Sequence, residues 1–172
     1  MMLESFEALA AALERAEVRY LVAGGLAVNA HGYVRFTKDI DLVIQLSAEN
    51  IERAFAALAS LGYRAAVPIV ATQFADPAQR VAWIREKGMK VLNFQSDQHR
   101  FAPVDVFVIE PFDFDEEHDK ALQGDVAPGL VVRFVSIPTL IAMKEAAGRP
   151  NDLMDIQHMR WILEEKRDGS DS

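Results

Sequence analysis

Apolar residues recur at helical spacing at Phe6, Leu9, Leu13 and Ala16, which predicts an amphipathic helix over residues ~4–17. A short apolar run, Val18 to Val22, reads as a strand ending at Gly24-Gly25, and Leu26 to His31 as a turn or two of helix. Gly32-Tyr33 breaks that helix, and residues 33–38 form a polar connector. Asp39 to Ile44 reads as the second strand. Ser47 with Asn50 marks a helix start, and Ile51, Phe55, Leu58 and Leu61 supply its apolar stripe up to Gly62. Tyr63 to Val70 is a candidate strand. Asp76-Pro77 opens another helix, a cap followed by proline in the first turn. Met89 to Phe94 and Val104 to Ile109 suit an antiparallel pair, residues 111–122 an acidic helix, and Leu130 to Val135 a last strand. Ser136-Ile137-Pro138 starts a helix to Ala147. Gly148-Arg149-Pro150 interrupts it, because the residue before proline avoids helical geometry, and Asn151 caps a final helix to about Lys166. These elements predict one α/β (α+β) domain over residues 1–167: a small mixed, twisted sheet backed by helices, with helical additions at both ends. Residues 168–172 are expected to be a disordered tail.

Three acids break the apolar pattern of the strands. Asp39 and Asp41 alternate with Ile40 and Leu42, so they project to one side. Asp105 sits within Val104-Asp105-Val106-Phe107-Val108-Ile109. Aspartate is disfavoured in strands and is rarely buried without a partner. Clustered carboxylates repel and would otherwise hold protons. A divalent metal is the simplest reason for the set, and hard oxygen ligands suit Mg²⁺ or Mn²⁺, completed by water and phosphate oxygens.

Gly24-Gly25 lies between a strand and a helix, a placement that opens backbone N–H groups toward phosphate. Arg35, Thr37 and Lys38 precede the first acid. Arg35 and Thr37 either neutralise a bound phosphate chain or tie the connector to the acids, whereas Lys38 reads as a solvated charge. Lys144 follows an apolar half-turn and either reaches phosphate or stands in solvent. Arg149 in the Gly-Arg-Pro break could pair with an acid. Asp152 and Asp155 fall in the first turn of the last helix, where acids suit the helix dipole. The acidic run from Asp113 to Asp119 lacks the glycine and spacing of a calcium loop and reads as a helix start. Of the scattered histidines only His31 falls near the glycines. Trp83 and Trp161 read as core.

Composition narrows the partners. Hydrophobic residues make up 51% of 172 and charged residues 26%, ordinary for a globular domain. No stretch approaches the ~18 apolar residues of a membrane span, and the N-terminus lacks the basic start of a signal peptide. The absence of cysteine excludes thiol chemistry and fits the cytoplasm. A net charge of −8 disfavours broad attraction to nucleic acid.

The order strand, Gly24-Gly25, short helix, Asp39-Ile40-Asp41-Leu42, then Val104-Asp105-Val106 resembles the nucleotidyltransferase fold superfamily, also called polymerase-beta-like. Arg35-Phe36-Thr37-Lys38-Asp39-Ile40-Asp41-Leu42, with Lys144, Arg149, Asp152 and Asp155, looks like its branch of bacterial AbiEii-type toxins and related small nucleotidyltransferases. The likeness spans residues ~4–160. It implies transfer of a nucleoside monophosphate from a nucleoside triphosphate to an acceptor hydroxyl, with release of pyrophosphate. It implies that Asp39 and Asp41 hold the nucleotide's metal, that Asp105 serves the acceptor side, and that Gly24 and Gly25 cradle phosphate. Some relatives have serine at the second glycine, where Gly25 offers only backbone. The acceptor is open: a small molecule, a protein side chain or an RNA end, met by the terminal helices, a homodimer partner or an antitoxin partner. The alternatives are a non-catalytic nucleotide-binding or toxin–antitoxin interaction module on the same fold, and a metal-dependent phosphohydrolase.

Overall fold

The structure is a computed structural model and describes residues 2–170. Helix α1 (Met2–Arg15) leads into β1 (Tyr20–Ala23), α2 (Gly24–Ala30) and β2 (Ile40–Ile44). Then come α3 (Ala48–Ser60), β3 (Arg64–Ala65), α4 (Ala71–Phe74), α5 (Pro77–Lys87), β4 (Val91–Gln95) and β5 (Val104–Phe107). The chain ends with α6 (Phe114–Lys120), β6 (Leu122–Ala127), β7 (Leu130–Phe134), α7 (Ile137–Ala147) and α8 (Pro150–Ser170).

The punctuation follows local chemistry. Ser47 accepts a hydrogen bond from the Asn50 amide and caps α3. Asp76 caps α5 from the position before Pro77. Gly88 and Gly148 adopt left-handed geometry just past α5 and α7, at φ 61° and 64°, where a side chain would be strained.

The strands form a mixed seven-stranded sheet in the order β3-β4-β5-β2-β1-β7-β6. β1 pairs antiparallel with β2 and parallel with β7, and β2 pairs parallel with β5. One face carries Leu42, Val104, Val106, Leu92 and Phe94, all essentially buried. Ring contacts tie α1 and α3–α5 to it: Phe6 meets Phe134, Phe55 meets Phe94 and Phe74, and Phe74 meets Trp83. The opposite face is only half-covered around Asn93, Asp105 and Phe107. The fold is therefore the mixed α/β sheet with helical additions that the pattern predicts.

Several boundaries differ. The expected strand from Tyr63 to Val70 shrinks to Arg64–Ala65, followed by the unforeseen α4. The glycine helix starts at Gly24 itself, two residues before its expected start. The acidic helix ends at Lys120, and Leu122–Ala127 forms an edge strand where none was expected. Helix α8 opens at Pro150 and continues to Ser170, three residues into the stretch expected to be a disordered tail; Asp171 and Ser172 lie outside the described residues.

Candidate active site

The acids line up through strand register. Asp41 pairs with Ala23 of β1 on one side and with Asp105 of β5 on the other, and Asp105 pairs with Asn93 of β4. Paired residues share a face, so Ala23, Asp41, Asp105 and Asn93 form one row across four strands. Asp39 precedes β2 by one residue and, two positions from Asp41, leans to the same side.

Two of these acids, Asp41 and Asp105, are shifted by burial and by acidic neighbours. The Asp41 carboxyl is pushed up to about 6, first by burial, then by the charges of Asp105 and Asp39; Lys144 and Arg149 pull the other way. Asp105 is also raised by burial, opposed by a hydrogen bond from Asn93 and reinforced by Asp39. Asn93 Nδ2 donates to Asp105 at 2.8 Å, and Gln95 Nε2 donates to Asn93 Oδ1 at 3.1 Å. Asn93 escaped the sequence reading, although it is a polar interruption of the apolar strand opposite Asp105. Among the described residues no three His, Asp or Glu side chains already form a ready metal cage. Asp41 feels the charges of both Asp105 and Asp39, and Asp105 feels that of Asp39. Such a donor set fits a hard divalent cation that takes few protein ligands and fills its shell with phosphate and water oxygens.

Gly24 is held against this row. Its φ is 61°, and a Cβ there would overlap Asp41 Oδ2. A Cβ on Gly25 would lie 2.5 Å from Thr37 Oγ1 and 3.3 Å from Arg35 Nη1. The two glycines therefore admit the first acid strand and the connector respectively. Thr37 and Arg35 occupy the side of Gly25 where a side chain would stand.

The connector alternates along its length. Tyr33, Arg35, Thr37 and Asp39 turn partly inward, while Gly32, Val34, Phe36 and Lys38 are exposed. Tyr33 stacks on His158 of α8 with ring centroids 3.8 Å apart. Arg35 forks onto Asp155, Nε to Oδ1 at 2.7 Å and Nη2 to Oδ2 at 2.6 Å, and donates to its neighbour's carbonyl, Phe36 O, at 2.9 Å. Thr37 Oγ1 donates to Asp39 O at 3.4 Å. Phe36 is left 82% exposed on a backbone that is anchored on both sides.

Lys144 is buried and bridges two buried carboxylates, Asp155 at 2.8 Å and Asp152 at 3.2 Å. Arg149 bonds Asp152 at 2.8 Å while its side chain stays largely exposed. Burial works against the charge on Asp152 and Asp155, but hydrogen bonds from Arg149, Lys144 and Arg35 win, so both stay below the ordinary carboxylate range. Asp152 and Asp155 thus do more than complement a helix dipole. They join the connector, α7 and α8 into one ionic cluster whose cations also reach Asp41.

Other candidates are absorbed by the fold. His31 bonds the Val135 carbonyl at 2.8 Å, and burial keeps it below its ordinary value. Asp113 caps α6, and Glu117 accepts from Ser136 and Thr139. Trp83 is core, as expected, but Trp161 is 48% exposed and packs edge-on against His158.

Residues 7–160 match the family described as nucleotidyl transferase AbiEii toxin, type IV toxin–antitoxin system. The chain belongs to this AbiEii nucleotidyltransferase family. Among solved structures, the crystal structure of ANT(2″)-Ia in complex with adenylyl-2″-tobramycin is similar to this AbiEii member. The TM-score is 0.60 and the identity 15%, over 96% of this chain and 91% of that one. The lincomycin-bound lincosamide antibiotic adenylyltransferase LnuA gives a TM-score of 0.53 at 14% identity, over 87% and 90%. At such identities the likeness carries the fold alone. No curated protein matches the chain in sequence. Among the described residues no helix is long and apolar enough to cross a membrane.

Proposed function

We propose that this AbiEii-family chain transfers a nucleoside monophosphate from a nucleoside triphosphate to an acceptor hydroxyl and releases pyrophosphate. The observation that carries the reading is the row in which Asp41 and Asp105 stand side by side, with Asp39 adjacent and Gly24 giving way to Asp41. Asp39 and Asp41 would hold Mg²⁺ or Mn²⁺, with Asp105 at its acceptor side. The bound cation would neutralise phosphate charge and polarise the reacting oxygens. Asp105, oriented by Asn93, takes the acceptor's proton as its oxygen bonds the α-phosphorus and the bridging bond to pyrophosphate breaks. Gly24 lends backbone to the phosphates. Lys144 and Arg149, near enough to lower the Asp41 carboxyl, supply fixed positive charge on the same flank. Arg35 and Thr37 act by holding the connector and therefore Asp39. The work is done in the cytoplasm, where triphosphate is available, as the toxin member of a toxin–antitoxin pair.

The test separates the acids. Replacing Asp41→Asn lowers both metal-dependent nucleotide affinity and turnover, because a ligand charge is lost. Replacing Asp105→Asn leaves much of the affinity while turnover falls ~10²-fold or more. Calorimetry with nucleoside triphosphate, with Mg²⁺ and then with chelator, reads the first quantity, and release of labelled pyrophosphate the second. Equal affinity with and without metal would favour a non-catalytic binding module. Undiminished turnover of the Asp105→Asn protein would remove the assigned role.

A further inference from the structure

The acids have two unlike flanks. On the β1 side lie Gly24 and the clustered cations of α7 and α8. On the β4 side the row reaches Asn93, which accepts from Gln95 two residues along the same strand, and Gln95 pairs with Arg64 of β3 on that same face. Pro103, whose carbonyl accepts from the Ile40 amide at 2.9 Å, sits directly before β5 and beside Asp39. Arg64, Gln95 and Pro103 thus form a second row, one step from the acid row. They line an open cavity of about 550 Å³, with Ser96, His99 and Arg100 on its wall.

The chemistry of this cavity runs against the rest of the molecule. The chain carries a net charge of −8, yet two arginines face this space. The acid beside them, Asp97, meets Arg64 only at 3.9 Å, and both side chains stand in solvent. Unlike Arg35 and Lys144, neither Arg64 nor Arg100 is fixed by a buried carboxylate among the described residues. Two exposed guanidinium forks, with the Gln95 amide on the same lining, suit a phosphate group, which arginine grips through two oxygens at once. The volume suits one small molecule of sugar-phosphate size, and the negative balance of the remaining surface disfavours a long polyanion.

We infer that this cavity is the acceptor subsite and takes a small phosphate monoester bearing a free hydroxyl. Its phosphate lies on Arg64 and Arg100, and its hydroxyl points along Gln95 and Asn93 to Asp105. This rests on the transferase reading above. In the step it serves, the acceptor oxygen bonds the α-phosphorus, the α–β bridging bond breaks, pyrophosphate leaves, and the proton passes to Asp105 and then to water.

Ribose 5-phosphate, ribose and a short RNA are titrated separately into metal-free, isotope-labelled protein, with backbone amides followed by NMR. Ribose 5-phosphate is expected to shift the amides of Arg64, Gln95 and Arg100 at ~10-fold lower concentration than ribose, the size of one charge-assisted contact. The Arg64→Ala/Arg100→Ala protein loses that preference. Both side chains are exposed, so its remaining spectrum stays native-like. Equal responses to the two sugars, a preference that survives the double substitution, or shifts confined to Gly24 and Gly25 overturn the inference. A response to RNA alone overturns it in favour of a polymeric acceptor. A separate titration with Mg²⁺ and ATP isolates the underlying reading. If that complex fails to bind while ribose 5-phosphate still occupies the cavity, the transferase reading falls and takes the acceptor role with it, whereas the phosphate site stands.

Discussion

The two flanks of the acid row hold positive charge in opposite ways. On the α7–α8 flank, Arg35, Lys144 and Arg149 share Asp152 and Asp155, and the carboxylates and the lysine are nearly removed from solvent. On the β3–β4 flank, Arg64 stands in water with a distant partner. The first arrangement makes charge part of the architecture: the ion pairs hold the connector that carries Asp39, and their field reaches Asp41. The second leaves charge available to a ligand. Burial sets the difference, because a buried charge must be paired and a solvated one need not be.

The comparison breaks first at Asp155. Replacing Asp155→Ala leaves Lys144 with one partner and Arg35 with none on α8. Removing one member of a buried ionic cluster costs about 3–5 kcal/mol. Urea unfolding reads it, and the connector should loosen with it, so Tyr33 leaves His158 and nucleotide affinity falls. A change below about 1 kcal/mol would mean the cluster is not structural and the flanks are alike.

Asp41 gives the next effect. Its carboxyl rises from an ordinary value of 3.8 to about 6 in the fold. A raised acid favours the folded state with its proton on. The contribution is therefore full below about pH 3.8 and is lost as pH climbs through 6. In chelator, Asp41→Asn should remove about 2–3 kcal/mol of stability difference between pH 4 and pH 7. The variant is then the more stable protein at neutral pH while inactive. Parallel pH–stability curves for the two proteins would show that burial and the neighbouring acids do not hold the Asp41 carboxyl up.

Gly25 tests how tightly the first flank is packed. A side chain at this position meets Thr37, so Gly25→Ala should cost on the order of 1–2 kcal/mol. Pairing it with Thr37→Gly opens the space. The double variant should lose less than the sum of the two singles. Additive losses would place the clash elsewhere.

What the sequence made legible tracks the range of the interaction. The shared side of Asp39 and Asp41 follows from period-two alternation, and the caps at Ser47 and Asp76 are local, whereas register alone sets Asp105 beside Asp41. The pairing of Arg35 with Asp155 joins residues 120 apart and leaves no local signal, so Asp152 and Asp155 read as dipole acids when they are buried ionic partners. The strand Leu122–Ala127 hid behind Gly124 and Asp125, residues that strands disfavour. It exists because β7 offers a free edge, and Gly124 is accommodated against Phe134, 3.2 Å from where a Cβ would stand. Asn93 becomes meaningful only once register sets it opposite Asp105.

The smallest expected effect sharpens the contrast from the open side. Arg64 sits on a two-residue edge strand, its side chain is 84% exposed, and Asp97 lies 3.9 Å away in solvent. Exposed pairs of this kind contribute between nothing and about 1 kcal/mol, less at high salt. Arg64→Ala should therefore leave the urea midpoint within about 0.5 kcal/mol of the parent, with no change in the pH dependence that Asp41 governs. The same substitution made on the locked flank, at Arg35, should cost several times more, because Asp155 would remain buried beside it. If Arg64→Ala were as destabilising as Arg35→Ala, the guanidinium at the cavity would be a structural brace, and the distinction between fixed and available charge around these acids would fail.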